Sequence, residues 1–209
     1  MMELETLLET LHLARRRYDT VRARIRHTLD GGVLAREAAR RGAAPHGDGR
    51  ISEAVDHLWF ASPEQWFLES ERGPGQGIVV GRDGDRKISN FSTDDIASWP
   101  TGRTRYLGGE GAYRHVLWEP NVMIPLLWLE PVRDAEIAGR RSIVARGLPR
   151  PSSTDYFILE PARQYEIVVD VERGVVLRFR RLYGGAVGIE DEVLDIAFDV
   201  ELPDRLFRI

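Results

Sequence analysis

The sequence predicts an α+β chain that is mainly antiparallel β and opens with one amphipathic helix. Three alternating segments carry this prediction. Tyr165, Ile167, Val169 and Val171 alternate with Glu166, Asp170 and Glu172. Val175, Leu177 and Phe179 alternate with Arg178 and Arg180, and Leu194, Ile196, Phe198 and Val200 alternate with Asp195, Asp199 and Glu201. Successive side chains on a strand point to opposite faces, so this period marks half-buried strands with one wet face. The joins are short, as at Arg173-Gly174, and no helical pattern separates the segments. Parallel strands need helical crossovers, so the pattern argues against a doubly wound sheet.

The helical period lies at the N-terminus. Leu4, Leu7, Leu8 and Leu11 share one helical face, while Glu3, Glu5, Glu9 and His12 lie on others. The acidic start and basic end suit the helix macrodipole. The period then changes to two: Val21, Ala23, Ile25, His27 and Leu29 alternate with Arg22, Arg24, Arg26 and Thr28, up to Asp30-Gly31-Gly32. The arginines are expected to be the solvated face of this strand, with a site for an anionic partner as the alternative. Residues 31–50, rich in Gly, Ala and Arg, read as a long connection with a short helix around Leu34–Arg41, the least ordered part of the chain.

Strands are expected at Ile51–Ala61 and Gln65–Glu71 around the turn residues Ser62 and Pro63. Ile78–Gly81 and Lys87–Phe91 should form a hairpin about Asp83-Gly84, a dipeptide suited to a two-residue turn of the primed type. Thr93–Glu119 is poorly patterned. Val122–Leu129 is a continuous apolar run broken by Pro125. Asp134–Arg146 reads as one extended segment, and Ser152–Pro161 as a short further strand.

The chain has 209 residues and no cysteine. One domain spanning 1–209 can bury enough surface at this length to fold without staples. The lack of cysteine excludes disulfides, thiolate metal sites and a cysteine nucleophile. The start, Met-Met-Glu-Leu-Glu, has no signal-peptide pattern, and no apolar run reaches the roughly 20 residues of a transmembrane helix, so a cytoplasmic location is expected. Net charge is −4, with both signs spread along the chain, which argues against nucleic acid as a partner.

No familiar catalytic pattern is present. The five histidines, His12, His27, His46, His57 and His115, lack metal-ligand spacing, and His27 and His57 are expected on strand faces, packed or partly exposed rather than catalytic. No Gly-x-Ser-x-Gly elbow occurs, and Gly73, Gly75 and Gly77 do not form a dinucleotide fingerprint. Asp83 and Asp85 are expected at a hairpin tip, and Glu190, Asp191 and Glu192 as a solvated cluster before the last strand. No catalytic residue, metal or cofactor is therefore assigned. Apolar bulk stands out instead. Val122–Leu129 is either an ordinary buried segment or the cover of a hydrophobic pocket, with Trp118 beside it and Trp59, Phe60, Trp66 and Phe67 on neighbouring strands.

The order of these segments resembles a known family. A leading helix enters the strand Tyr18–Ile25; a strand bearing Trp66-Phe-Leu-Glu follows, then the hairpin Val80–Arg86, an apolar mid-chain stretch, the strand Tyr165–Gly174 and the ending Ile196–Asp204. This is similar to the periplasmic lipoprotein-carrier (LolA/LolB-like) superfamily, and especially to uncharacterised actinobacterial members of a cytoplasmic branch. The resemblance implies a strongly curved, half-barrel antiparallel sheet, with the N-terminal helix and a short mid-chain helix packed on its concave side. It also implies an apolar cavity for an acyl chain or similar ligand. The expected function is therefore a non-enzymatic binding protein for a hydrophobic small molecule or lipid. The expected contacts are Trp66, Leu68, Met123, Ile124, Leu127 and Trp128. The alternative is a protein-interaction or regulatory module that uses the arginine-rich strand and the 31–50 loop to hold a protein partner.

Overall fold

A computed structural model of the chain describes residues 3–44, 49–62, 65–71, 77–83, 86–89, 123–150 and 162–203. Helix α1 (Leu4–Leu13) continues as a 3₁₀ turn (Ala14–Arg17) and leads to β1 (Val21–Asp30) and α2 (Gly31–Arg40). Four strands follow: β2 (Ile51–Ser62), β3 (Gln65–Glu71), β4 (Gly77–Asp83) and β5 (Arg86–Ser89). After a one-turn helix, α3 (Met123–Leu126), come β6 (Leu127–Ile137), β7 (Arg140–Pro149), β8 (Gln164–Asp170), β9 (Val176–Tyr183) and β10 (Ala186–Phe198).

The strands make one ten-stranded sheet in the order β5-β4-β3-β2-β1-β10-β9-β8-β7-β6. Every pair is antiparallel, and β5 and β6 are its two edges, so the sheet is open rather than closed into a barrel. The two halves of the chain meet where β1 pairs with β10. This is the mainly antiparallel architecture that the alternating segments predict.

Helix α1 buries Leu7, Thr10 and Leu11 against the sheet. Its far end is fixed by the β8–β9 turn. The buried carboxylate of Asp170 accepts hydrogen bonds from the backbone N–H groups of Glu172 (2.7 Å) and Arg173 (2.9 Å) and from the Arg140 guanidinium. Arg173 in turn donates to the Arg17 carbonyl and to Asp199. Gly174, at φ +76°, lies so close to α1 that an added Cβ would overlap the Thr10 carbonyl oxygen. Only glycine suits both the backbone angle and the spacing.

The 31–50 connection carries the expected short helix, starting three residues earlier and longer than expected. Its first half is a ten-residue helix, and it packs on the sheet rather than forming a loop. Asp30 caps it by accepting from the Val33 N–H at 2.9 Å. Val33, Glu37 and Ala38 fall on one buried face.

The Val122–Leu129 run also divides. Met123–Leu126 is helical, with Ile124 and Leu126 packed against the core, whereas Leu127–Leu129 begin β6. The segment expected as one extended stretch, Asp134–Arg146, is a hairpin instead. Ala138 (φ 52°) and Gly139 (φ 69°) turn the chain between β6 and β7. Pro131 is tolerated within β6 because that strand is an edge, and the register shifts beside it. The expected strand Ser152–Pro161 and the poorly patterned stretch Thr93–Glu119 lie outside the described residues.

Gly174→Ala should destabilise the chain strongly, because a left-handed backbone costs roughly 1–2 kcal/mol for a residue with a Cβ and the overlap with Thr10 adds to it. Gly139→Ala, with the same sign of φ but nothing within 4 Å of the new Cβ, should lose only the conformational part. Urea unfolding of the two variants should therefore give clearly different midpoints, Gly174→Ala the lower.

Candidate functional site

Directly opposed residues in an antiparallel pair share a face of the sheet. On β1, Val21 and Ala23 stand opposite Phe60 and Leu58 of β2 and opposite Phe198 and Ile196 of β10. Ile25, Ile143, Ile167 and Phe179 extend the same inner face, and Tyr165 stacks on Phe179 with ring centroids 5.4 Å apart. These side chains, with Leu7 and Leu11 of α1, form the main apolar cluster.

Among the described residues, charge interrupts this apolar face at the centre of the sheet. Asp56 of β2 lies opposite Ile25, and Asp191 of β10 lies opposite His27. The His27 ring sits between the two carboxylates, with Nδ1 2.5 Å from Asp191 Oδ1 and Nε2 3.1 Å from Asp56 Oδ2. A neutral imidazole carries one N–H, so two carboxylate partners call for the doubly protonated ring. Burial lowers the His27 pKa, but the hydrogen bonds to Asp191 and Asp56 outweigh it, and the ring is pushed up to about 9. The cation thus ties β1 to both of its neighbours. Arg181 of β9 completes the group, with one guanidinium nitrogen 3.9 Å from Asp191 Oδ2 and its carbon 5.5 Å above the Phe179 ring.

Helix α2 packs on β2, β9 and β10, the strands that carry Asp56, Arg181 and Asp191. Its own fully buried carboxylate, Glu37, is held by Arg40 (3.0 Å), Arg41 (2.9 Å) and, more distantly, Arg163 at the start of β8. The outer face carries the remaining charge. Arg26 pairs with Glu192, Arg178 donates to Glu166 at 3.0 Å, and Arg180 donates to Glu190 at 2.8 Å and to Glu166 at 3.1 Å. Arg22 and Arg24 are exposed, as a solvated strand face requires. The Glu190–Glu192 cluster is therefore not simply solvated ahead of a strand. It lies within β10, with Glu190 and Glu192 in ion pairs outside and Asp191 buried inside. His57 is on the outer face, bonded to Glu71 and stacked on Trp59, away from His27.

The residues expected to contact a ligand are distributed as follows. The register sets Trp66 opposite Phe60 and Leu68 opposite Leu58. Met123 begins α3, Ile124 packs against the core and Leu127 is buried. Trp128 is 53% exposed, beneath the Arg150 guanidinium. The polar group on the inner face was not among the expected site residues; an isolated histidine and a run of acidic residues carry no spacing that announces their convergence. Among the described residues, no group of His, Asp and Glu is arranged to hold a metal, and no helix is long and apolar enough to cross a membrane.

The sequence matches no family model and no curated protein. Solved structures do match. MucB superposes with a TM-score of 0.60 at 15% identity, over 98% of this chain and 62% of the MucB chain. MucB in complex with MucA(peri) gives 0.58 at 13% identity, over 99% of this chain and 60% of that one. An uncharacterised conserved protein from Thermus thermophilus gives 0.52 at 9% identity, covering 98% of this chain and 92% of that one. The chain thus spans about 60% of the MucB chain in that complex. The chain therefore shares its fold with MucB.

The pinned histidine makes stability depend on pH. A pKa raised on folding stabilises fully below the unfolded value of 6.5, and that contribution is lost as pH rises through about 9. At about 1.4 kcal/mol per unit, the shift corresponds to roughly 3 kcal/mol. Denaturant unfolding should show the native chain losing stability between pH 6.5 and about 9, while His27→Gln starts lower and stays nearly flat. Parallel curves would show that His27 is not the titrating group.

Proposed function

We propose that this chain is a binding protein whose inner sheet face takes a hydrophobic, lipid-like ligand, and that it acts by binding rather than by catalysis. One observation supports this reading above the others: the sheet is open, its inner face carries one continuous apolar cluster, and among the described residues the inward-facing charge of its strands is gathered in the His27 group, on strands that α2 packs against. Ionised side chains are rarely buried unless they are paired, and this group meets that condition. An apolar ligand on such a face would be held mainly by buried area, at about 25 cal/mol per Å² before ordering costs. Trp66, Leu68, Met123, Ile124, Leu127 and Trp128 remain the proposed contacts.

A second reading is a protein partner. MucB forms a complex with MucA(peri), and here the exposed Arg22 and Arg24, with α2 in place of the expected 31–50 loop, would supply the contact surface. The shared fold alone does not favour it over a lipid-like ligand.

Native mass spectrometry of protein purified without detergent should reveal a bound apolar mass that organic extraction removes and an added long-chain amphiphile restores. A single ligand-free mass before and after addition would overturn the proposal.

A further inference from the structure

We propose that Asp56, His27, Asp191 and Arg181 form a subsite for an uncharged, hydroxyl-bearing head of that ligand; this deepens the ligand-binding reading and rests on it. The formal charges of the group cancel, two carboxylates against an imidazolium and a guanidinium. Asp191 and Arg181 each leave one polar atom over. Asp191 Oδ2, an acceptor, and Arg181 Nε, a donor, are both buried without a hydrogen-bond partner among the described residues. The nearest approach of that acceptor to the Arg181 guanidinium is 3.9 Å, too long for a hydrogen bond.

Buried polar atoms are nearly always partnered, and an acceptor beside a donor is matched by a group that can give and take one bond each. A hydroxyl does both: its O–H donates to Asp191 Oδ2 while its oxygen accepts from Arg181 Nε. A carboxylate head has no proton to give and would face the Asp191 charge. An ammonium head has no lone pair for Arg181 and would face its charge. Either would bring an uncompensated ion onto the apolar face. The nearby charges do not change this preference. Glu37 of α2 is already surrounded by Arg40 and Arg41, and Arg178 and Arg180 of β9 are engaged with Glu166, Glu190 and Glu192 on the other face of the sheet. The ring of His27 is a quarter exposed and the side chains of Arg181, Asp56 and Asp191 less, so the edge of the group meets solvent while Asp191 Oδ2 and Arg181 Nε are themselves buried.

The test compares four C12 probes on the full chain at pH 7.5 by displacement of an uncharged apolar fluorescent dye: dodecan-1-ol, dodecanoate, dodecylammonium and dodecane. Dodecan-1-ol should bind about tenfold or more tightly than either charged probe and than dodecane, the discrimination expected of one hydrogen bond to a charged group. Arg181→Met and Asp191→Asn should each collapse the alcohol-to-dodecane ratio towards one. The ranking is read on the native chain, so a variant that fails to fold does not decide the matter. Equal binding of all four probes, or a preference for a charged head, would overturn the subsite while leaving the apolar-ligand reading intact. Failure of every probe to bind would overturn both.

Discussion

The structure depends on a histidine cation held between two carboxylates at the centre of an open sheet. His27 reaches Asp191 on one side and Asp56 on the other, so one ring joins β1 to the next strand in the chain and to the last. β1 and β10 are far apart in sequence, and bringing them together closes a long loop at an entropic cost. The apolar pairs Val21–Phe198 and Ala23–Ile196 offset most of it at one end of the strand. At the other end, where α2 folds back over the sheet, the ionic bridge takes that part. Removing either acid would leave a buried cation with half its partners, which is far costlier than losing an exposed salt bridge.

The distribution of the other charges follows the same division. Outside, arginines and glutamates alternate across β1, β10, β9 and β8 as cross-strand pairs, and their partial exposure keeps the desolvation cost small. Inside, charge is confined to groups that compensate one another: the His27 bridge and the Glu37 cluster. α1 is fastened separately by the Asp170 turn, Arg173 and Gly174. The inner face is thus supported at two ends, apolar between them and polar beneath α2. That is the disposition an amphiphile would complement.

Much of the fold is legible in the sequence, because hydrophobic period two reports faces directly. The alternation Val21 to Leu29 and Tyr165 to Val169 marks the strands, and the leucines of α1 mark the helix. The site was not legible, for a geometric reason. Extending the alternation of Leu194, Ile196 and Phe198 backwards would put Glu190 and Glu192 inside and Asp191 outside. A register shift between Arg24 and Ile25 opposite Asp195 and Val193 reverses the parity, and a bulge of this kind leaves no signature in composition. The β6–β7 hairpin was hidden likewise, since Ala138 adopts a positive φ that Asn or Gly would have announced. Helix α2 was readable only in part: its cap Asp30 is plain, but the burial of Glu37 depends on arginines supplied by its own last turn and by a distant strand.

Whether ligand and inner face meet is the point on which the functional reading turns. Isotope-filtered NMR with ¹³C-methyl-labelled protein and unlabelled dodecan-1-ol measures that contact. Intermolecular NOEs are expected from the alkyl chain to the methyl groups of Ile25, Leu58 and Ile167, all buried on the inner face, and from the carbinol protons to groups near His27. NOEs confined to the exposed Leu148 methyls on the outer face, beside Trp128, would contradict it.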